Sequence, residues 1–507
     1  MIKVKQEKKN KFKGKNILVV GLARSGTGAA NLLAELGAKV SITDSKSPDT
    51  LADRIKQLSS SVKFIAEGKA GEVIDSMDMI VISPGVPVYI PLLVKADIKG
   101  IPVIGELELA YQIVKSYELR VMSNKDYTES PSLITRHPSP GFIGITGTNG
   151  KSTTTTLVDL MLKEAGFNTL LAGNIGNALT EEILKTAGTG LKPVPACPDF
   201  LVVEISSFQL ETIEEFRPNV AAILNITPDH LDRYDSMKDY ADAKARIIDN
   251  QTPEDYLVLN ADDPGIRTII SEKLEMKSEK PEIIYFSRLF EVEGAYLKNG
   301  MIYCNSSHIS LPSSPFPLIS QNEIKIKGVH NLENAMAASL IALVSGCGPD
   351  AVRNVLKNFP GLEHRLEFVD DINGVRFIND SKGTNVGAVA KSLADFENVI
   401  LIMGGLDKGS DFSVLGDLIR TRVKLLILLG AAADVIAEAL GSITETHRVA
   451  GLEEAVALSM SKALSGDTVM LSPGCASFDM FKDFEDRGRQ FKEAVKAYKN
   501  KNTGKTE

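Results

Sequence analysis

Residues 144–158, GITGTNGKSTTTTLV, set three glycines, a lysine and a run of hydroxyls between an apolar stretch and a helical pattern. Backbone N–H groups at the start of such a helix suit phosphates, Lys151 can neutralise phosphate oxygens, and the Ser152 hydroxyl can ligate Mg2+. The usual spacing of a phosphate-binding loop, GxxxxGK[ST], asks for a glycine at 145, where the chain has Ile145. The stretch is therefore either a glycine-rich turn without nucleotide or a shorter variant loop that binds ATP.

A second glycine turn lies in NILVVGLARSGTGAANLLAELGAKVSITD (16–44), with Gly21 and Gly26 in the places of the first and third glycines of GxGxxG. Ala23 holds the middle place, and its Cβ hinders the close backbone approach to a pyrophosphate. Asp44 ends the next strand, where a ribose-binding acid would sit. This stretch reads as a weakened dinucleotide site or as a tight turn whose Asp44 caps a helix.

The elements that must carry these turns are short runs rich in Val, Ile and Leu: NILVVG, MIVISPG, FLVVEISS, VAAILNIT, VILIMGG, KLLILLG and TVMLSPG. Near-continuous apolar strands alternating with helices indicate parallel sheets covered on both faces, the α/β class, with ligands at the carboxyl ends of the strands. A chain of 507 residues exceeds one core, and about three domains are expected. Cuts at about 105 and 361 give segments 1–105, 106–361 and 362–507, with the polar stretch 123–140 as an insertion or linker inside the second.

Apolar residues at 43% and charged residues at 24% mark a globular, soluble protein. A net charge of −8 without a basic stripe speaks against nucleic acid. No run of about 18 apolar residues is present to span a membrane, and the lysine-rich start MIKVKQEKKNKFKGK lacks the apolar stretch of a signal peptide. Cys197, Cys304, Cys347 and Cys475 show no metal-ligand spacing and read as reduced thiols of a cytoplasmic protein.

GTNGKS after a strand resembles the ATP loop of the Mur ligases and of their relatives, the folylpolyglutamate synthases. Further blocks agree in order: VVEISSFQLE, NITPDHLDRY with YADAKARI, HNLENAMAA, EHRLEF with NDSKGTN, and LSPGCASFDMFKDFEDRG. The resemblance covers about 14 to 495 and is strongest to the D-glutamate-adding branch. It implies three α/β domains on mainly parallel sheets: Rossmann-like N-terminal, P-loop ATPase-like central and Rossmann-like C-terminal. The implied enzyme is a cytoplasmic monomer that joins D-glutamate to the alanine carboxylate of UDP-N-acetylmuramoyl-L-alanine. ATP becomes ADP and phosphate by way of an acyl phosphate, during peptidoglycan precursor assembly.

Carried over by resemblance, Gly147, Thr148, Asn149, Gly150, Lys151, Ser152 and Thr153 hold the ATP phosphates. Ser152 and Glu204 bind one Mg2+, and His230 with Lys244 serves a second, Lys244 as a carbamate. Lys151, Glu204, His230 and Lys244 form the implied catalytic set. Asn334, Arg365 and Asp380 match adenosine-binding positions, and Arg24, Ser25, Asp44 and Ser45 match the UDP site. Asn174 and His230 match contacts to the sugar-peptide, and Lys382, Thr384, Lys408, Ser477 and Phe484 match the D-glutamate pocket. Taken singly, Glu204 could be an ion-pair partner, His230 a loop residue capping the next helix, and Lys244 a solvated lysine. A nicotinamide dehydrogenase would need the glycine that Ala23 replaces, and a folylpolyglutamate synthase would not need the first βαβ unit.

Overall fold

In the computed structural model the described residues are 11–123, 140–187, 198–230, 233–309, 313–394, 396–407 and 409–503. The lysine-rich start up to residue 10, nearly all of the 123–140 insertion, Cys197 and Lys408 lie outside them. The chain divides into two compact units, Met1–Phe359 and Pro360–Glu507.

The first unit holds two sheets. One is all parallel, in the order β3-β2-β1-β4-β5, with β1 Asn16–Val20, β2 Lys39–Thr43, β3 Lys63–Phe64, β4 Met79–Ile82 and β5 Val103–Gly105. The other has nine strands: β6 Gly141–Thr146, β7 Thr169–Gly173, β8 Phe200–Glu204, β9 Val220–Ile223, β10 Tyr256–Asn260, β11 Glu282–Ser287, β12 Gly294–Lys298, β13 Met301–Asn305 and β14 Phe316–Ser320. Their order is β14-β13-β12-β11-β10-β9-β6-β8-β7, parallel from β12 to β7 and antiparallel at the β12–β14 edge. β6 lies inside the sheet, flanked by β8 and β9, so the glycine loop that follows it opens where both neighbouring strands also end.

The two sheets are joined by the helix Glu106–Ser123. Tyr111 on that helix meets Phe142 and Phe216 edge-on at 5.2 and 5.5 Å. The buried Glu108 carboxylate accepts from the backbone N–H groups of Glu214, Glu215 and Phe216, which makes burial of a charge tolerable. Close packing at the same junction depends on Gly28, where a Cβ would lie 2.8 Å from Thr180 Oγ1.

The second unit is a six-stranded sheet in the order β15-β16-β20-β17-β18-β19, with β15 Glu367–Ile372, β16 Val375–Asn379, β17 Val399–Gly404, β18 Val423–Leu429, β19 Glu445–Arg448 and β20 Thr468–Leu471. Only β15 is antiparallel. Leu401 and Met403 pack into the core on one face while Ile400 and Ile402 pack into the core on the other. Period-two alternation with both faces covered is why VILIMG is apolar throughout.

Candidate active site

The loop after β6 is shaped by backbone geometry that side chains resist. Gly147 and Gly150 have φ of 149° and 81°, and a Cβ on Gly150 would lie 2.1 Å from Asn334 Oδ1. Asn334, buried on the helix Val329–Val344, thus backs directly onto the loop and accepts from Thr154 Oγ1 at 3.4 Å. Gly150→Ala should cost roughly 1–3 kcal/mol through backbone strain and that clash. The expected result is a lower melting temperature together with weaker ATP binding by calorimetry; a variant unchanged in both would contradict this packing.

The far side of the loop is fastened to the strand end after β9. Asn149 N–H donates to Asn225 Oδ1 at 2.8 Å, Asn225 Nδ2 donates to the Asn149 carbonyl at 3.1 Å, and Thr148 Oγ1 donates to the Thr227 carbonyl at 3.1 Å. Asn225 and Thr227 lie inside the NITPDH block but carry no charge or unusual spacing, so nothing along the chain marks them. The helix Lys151–Glu164 begins at Gly150 without a side-chain cap, and Ser152 and Thr153 are buried in its first turn. That leaves the helix start as a place for an anion.

Two lysines converge on one carbonyl. Lys151 Nζ donates to the Gly147 and Thr148 carbonyls at 2.8 Å each, and Lys244 Nζ donates to the Gly147 carbonyl at 3.0 Å. Lys244 sits on the helix Met237–Ala245 with only 2% of its surface exposed, which corrects the solvated reading of a mid-helix lysine. Tyr240, one turn earlier, carries the amine over its ring at 4.6 Å and donates to Thr148 Oγ1 at 3.2 Å. Burial, and next the charge of Lys151, push the Lys244 amine well below the ordinary lysine range, while Asp229 opposes the shift.

Glu204 ends β8 in register with Ile145 of β6, beside the loop, and is 2% exposed. Its Oε1 accepts from Asn174 Nδ2 at 2.9 Å, and its Oε2 is buried without a hydrogen-bond partner. Among the described residues no cation pairs with Glu204, which corrects the ion-pair reading, and a buried, half-satisfied carboxylate is costly unless a cation meets it. His230 adopts a φ of 54° and packs its ring against Phe208 and Tyr240, with centroids 4.9 and 6.2 Å away. It does not cap the next helix; Ser236 does, accepting from Asp239 N–H. Among the described residues no three His, Cys, Asp or Glu side chains form a ready metal cluster. Mg2+ commonly takes one or two protein carboxylates and completes its shell with phosphates and water.

In the first sheet, a cavity of about 480 Å³ opens at the carboxyl ends of β1 and β2, lined by Gly21, Asp44, Ser45, Gly85, Val86 and Pro87 among others. Asp44 accepts from Leu22 N–H at 2.6 Å and Lys46 N–H at 2.9 Å, so it orders the turn rather than capping a helix. Gly26 is required by close packing, since a Cβ there would lie 1.8 Å from the Gly21 carbonyl oxygen. Arg24 and Ser25 open the helix Arg24–Glu35, and Arg24 Nη1 donates to the Gly176 carbonyl in the turn that also carries Asn174.

In the second unit, Asp380 follows β16. Its Oδ2 accepts from Ser392 and Ser472 hydroxyls at 2.6 and 2.7 Å, and its Oδ1 from Leu366 N–H at 3.3 Å. Burial nevertheless raises its pKa above the usual carboxylate value, against those bonds and the nearby charge of Arg365. The Arg365 Nε is buried without a partner. Lys382 Nζ lies 5.3 Å from the Phe484 ring centroid, and Ser381 Oγ donates to the Phe484 carbonyl at 2.8 Å, so these segments meet. Thr384 follows on the same turn, its N–H donating to the Lys382 carbonyl at 2.9 Å, and Ser477 is buried after β20.

The residue that ties these loops together is Arg487, 1% exposed. It donates through Nη2 to the Ser381 and Cys475 carbonyls at 2.9 and 3.2 Å, and through Nε to Ser381 Oγ at 3.0 Å. Burial lowers its pKa to about 10. In the sequence it is one more charged residue among FKDFEDRG, and only the folded convergence of three segments reveals its task.

The MurD-like N-terminal domain of Mur ligases matches residues 15–105, the Mur ligase middle domain 145–342, and the Mur ligase glutamate ligase domain 364–475. The UDP-N-acetylmuramoylalanine–D-glutamate ligase of Geotalea daltonii is 43% identical over 491 residues, covering 96% of this chain and 98% of its own. That of a Thermoanaerobacter species is 42% identical with the same coverage. The MurF ligase of Thermotoga maritima, solved in complex with ADP, shares the fold with a TM-score of 0.55 at 13% identity, over 90% of this chain and 95% of its own. The chain belongs to the Mur ligase family, in its UDP-N-acetylmuramoylalanine–D-glutamate ligase branch.

Proposed function

We propose that the protein joins D-glutamate to UDP-N-acetylmuramoyl-L-alanine at the expense of ATP, in the cytoplasmic assembly of peptidoglycan precursor. The observation that carries the reading is the convergence of Lys151 and Lys244 on the Gly147 carbonyl, beside the unpartnered Oε2 of Glu204. Two lysines, a glycine loop and a buried acid thus meet at the carboxyl ends of the neighbouring strands β6 and β8, the kind of setting that transfer of a phosphoryl group to a carboxylate requires.

The loop N–H groups at 147–153 and Lys151 hold the ATP phosphates against the incoming alanine carboxylate, whose oxygen attacks the γ-phosphorus and releases ADP. The amino group of D-glutamate then attacks the carbonyl carbon of the acyl phosphate. The tetrahedral intermediate collapses with phosphate leaving on the oxygen that the carboxylate supplied. Ser152 with Glu204, and His230 with Lys244, would hold two Mg2+ ions, whose charge offsets that of the meeting anions. Asn334, Arg365 and Asp380 serve the adenosine, while Arg24, Ser25, Asp44 and Ser45 serve the UDP group. Asn174 orients Glu204 and faces the sugar-peptide. Acceptor carboxylate labelled with 18O should pass one label into the released phosphate. Unlabelled phosphate during full turnover would rule out the acyl phosphate.

For D-glutamate, Lys382, Thr384, Lys408, Ser477 and Phe484 form the proposed pocket. Lys408→Ala should raise the KM for D-glutamate at least tenfold, the loss of about one charge-assisted hydrogen bond, while the KM for ATP stays within about twofold. An unchanged KM for D-glutamate, or better turnover with meso-diaminopimelate, would contradict the assignment.

A further inference from the structure

Arg233 follows His230 by three positions and has no part in the roles above. Its side chain is 14% exposed and makes three contacts. The guanidinium carbon stands 4.1 Å from the Phe208 ring centroid, Nη2 donates to Glu211 Oε2 at 2.7 Å, and Nη1 reaches the Pro84 carbonyl at 3.4 Å. Tyr234 donates to the other oxygen of the same carboxylate, Glu211 Oε1, at 2.6 Å.

These partners come from two places, and one of them packs on His230, so Arg233 links three parts that the reaction must bring together. Phe208 and Glu211 belong to the short helix Ser207–Leu210 and its C-cap, which opens three residues after Glu204 and is locked by a Ser206–Gln209 capping box. Phe208 packs edge-on against the His230 ring at 4.9 Å. Pro84 opens the turn whose next residues, Gly85, Val86 and Pro87, line the 480 Å³ cavity beside Asp44 and Ser45. His230 meanwhile holds a φ of 54°, a conformation that a residue other than glycine keeps only when its surroundings impose it.

We propose that Arg233 is a positioning residue for the acceptor, resting on the ligase reading above: by clamping Phe208 and Glu211 and gripping the Pro84 carbonyl, it fixes His230 relative to Glu204 and to the substrate turn of the first sheet. A planar guanidinium alone can stack on an aromatic face and donate in two directions at once, which a lysine ammonium does not reproduce. The ATP loop is fastened separately through Asn225 and Thr227, so the effect of Arg233 falls on the acceptor and on turnover, not on ATP.

The test is steady-state kinetics of Arg233→Ala and Arg233→Lys beside the wild-type protein, with circular dichroism melts as a check on folding. Arg233→Ala should raise the acceptor KM and lower kcat by about tenfold each, the loss expected when a clamp on a reacting group is removed, with the ATP KM within about twofold. Arg233→Lys should recover only part of this, and added guanidinium ion should partly restore Arg233→Ala. Phe208→Leu placed on Arg233→Ala should cost little more, because the two act as one unit. Calorimetric Kd values for UDP-N-acetylmuramoyl-L-alanine and a non-hydrolysable ATP analogue give the same ratio without turnover. A wild-type protein that releases no phosphate would overturn the ligase reading, while the calorimetric ratio would still decide Arg233. Equal shifts for acceptor and ATP, fully additive effects of Phe208→Leu, or wild-type kinetics in Arg233→Ala would overturn the proposal.

Discussion

Lys151→Ala should lose phosphate release by on the order of 100-fold or more while keeping its fold, because it removes a preorganised cation from the site where charge develops on the γ-phosphate. The amine is already held over the loop by the Gly147 and Thr148 carbonyls before ATP arrives. Those two contacts are to backbone oxygens of the same loop, and the helix behind it packs through Leu157, Val158, Met161 and Leu162, which the substitution leaves untouched. A melting curve near that of wild type, together with lost turnover in a coupled phosphate assay, is the expected outcome. Near-normal turnover by the folded variant would remove the loop from the mechanism.

Lys244→Ala should be as damaging, for a different reason. An ammonium buried to 2% exposure, sharing the Gly147 carbonyl with Lys151, is disfavoured by desolvation and by like charge, so the neutral amine becomes accessible. A neutral amine attacks CO2, forming an N–C bond and releasing one proton, and the carbamate that results bears two oxygens and a negative charge. We propose this carbamate at Lys244, where it would turn a repulsive pair of lysines into an attractive one and provide oxygen ligands of the kind Mg2+ prefers. Loss of about 100-fold or more in kcat is expected for Lys244→Ala, with part restored by added acetate or formate. Lys244→Arg should stay inactive, because a guanidinium neither loses its proton nor forms a carbamate. Full activity of Lys244→Arg would end the proposal.

How much of this was legible in the sequence depends on whether a feature is local. The seven apolar runs became β1, β4, β8, β9, β17, β18 and β20, because strands buried on both faces need no partner to declare themselves. The strands at the antiparallel ends of the sheets, β12 to β15, are less legible: their residues are only partly buried, so no continuous apolar run marks them, and Pro317 interrupts the pattern of β14. Lys151 is legible because a glycine loop announces itself along the chain, whereas Glu204 at its strand end also fits an ion-pair partner and stands out only beside that loop. The burial of Lys244 was not, since helical periodicity cannot tell which loop will fold over a given face. Arg487 and Arg233 were invisible for the same reason, each taking its meaning from segments that lie far apart in sequence. The pairing of Arg24 with the Gly176 carbonyl likewise joins residues whose proximity only the packing of the two sheets creates.

The most direct measurement is phosphate release from ATP and Mg2+ by the purified chain, with UDP-N-acetylmuramoyl-L-alanine as acceptor and a panel of D- and L-amino acids, the product weighed by mass spectrometry. Release should require acceptor and amino acid together, should be fastest with D-glutamate, and should match a product heavier than the acceptor by one glutamyl residue. Release without the acceptor, or preference for an amino acid other than D-glutamate, would contradict the reading of the site.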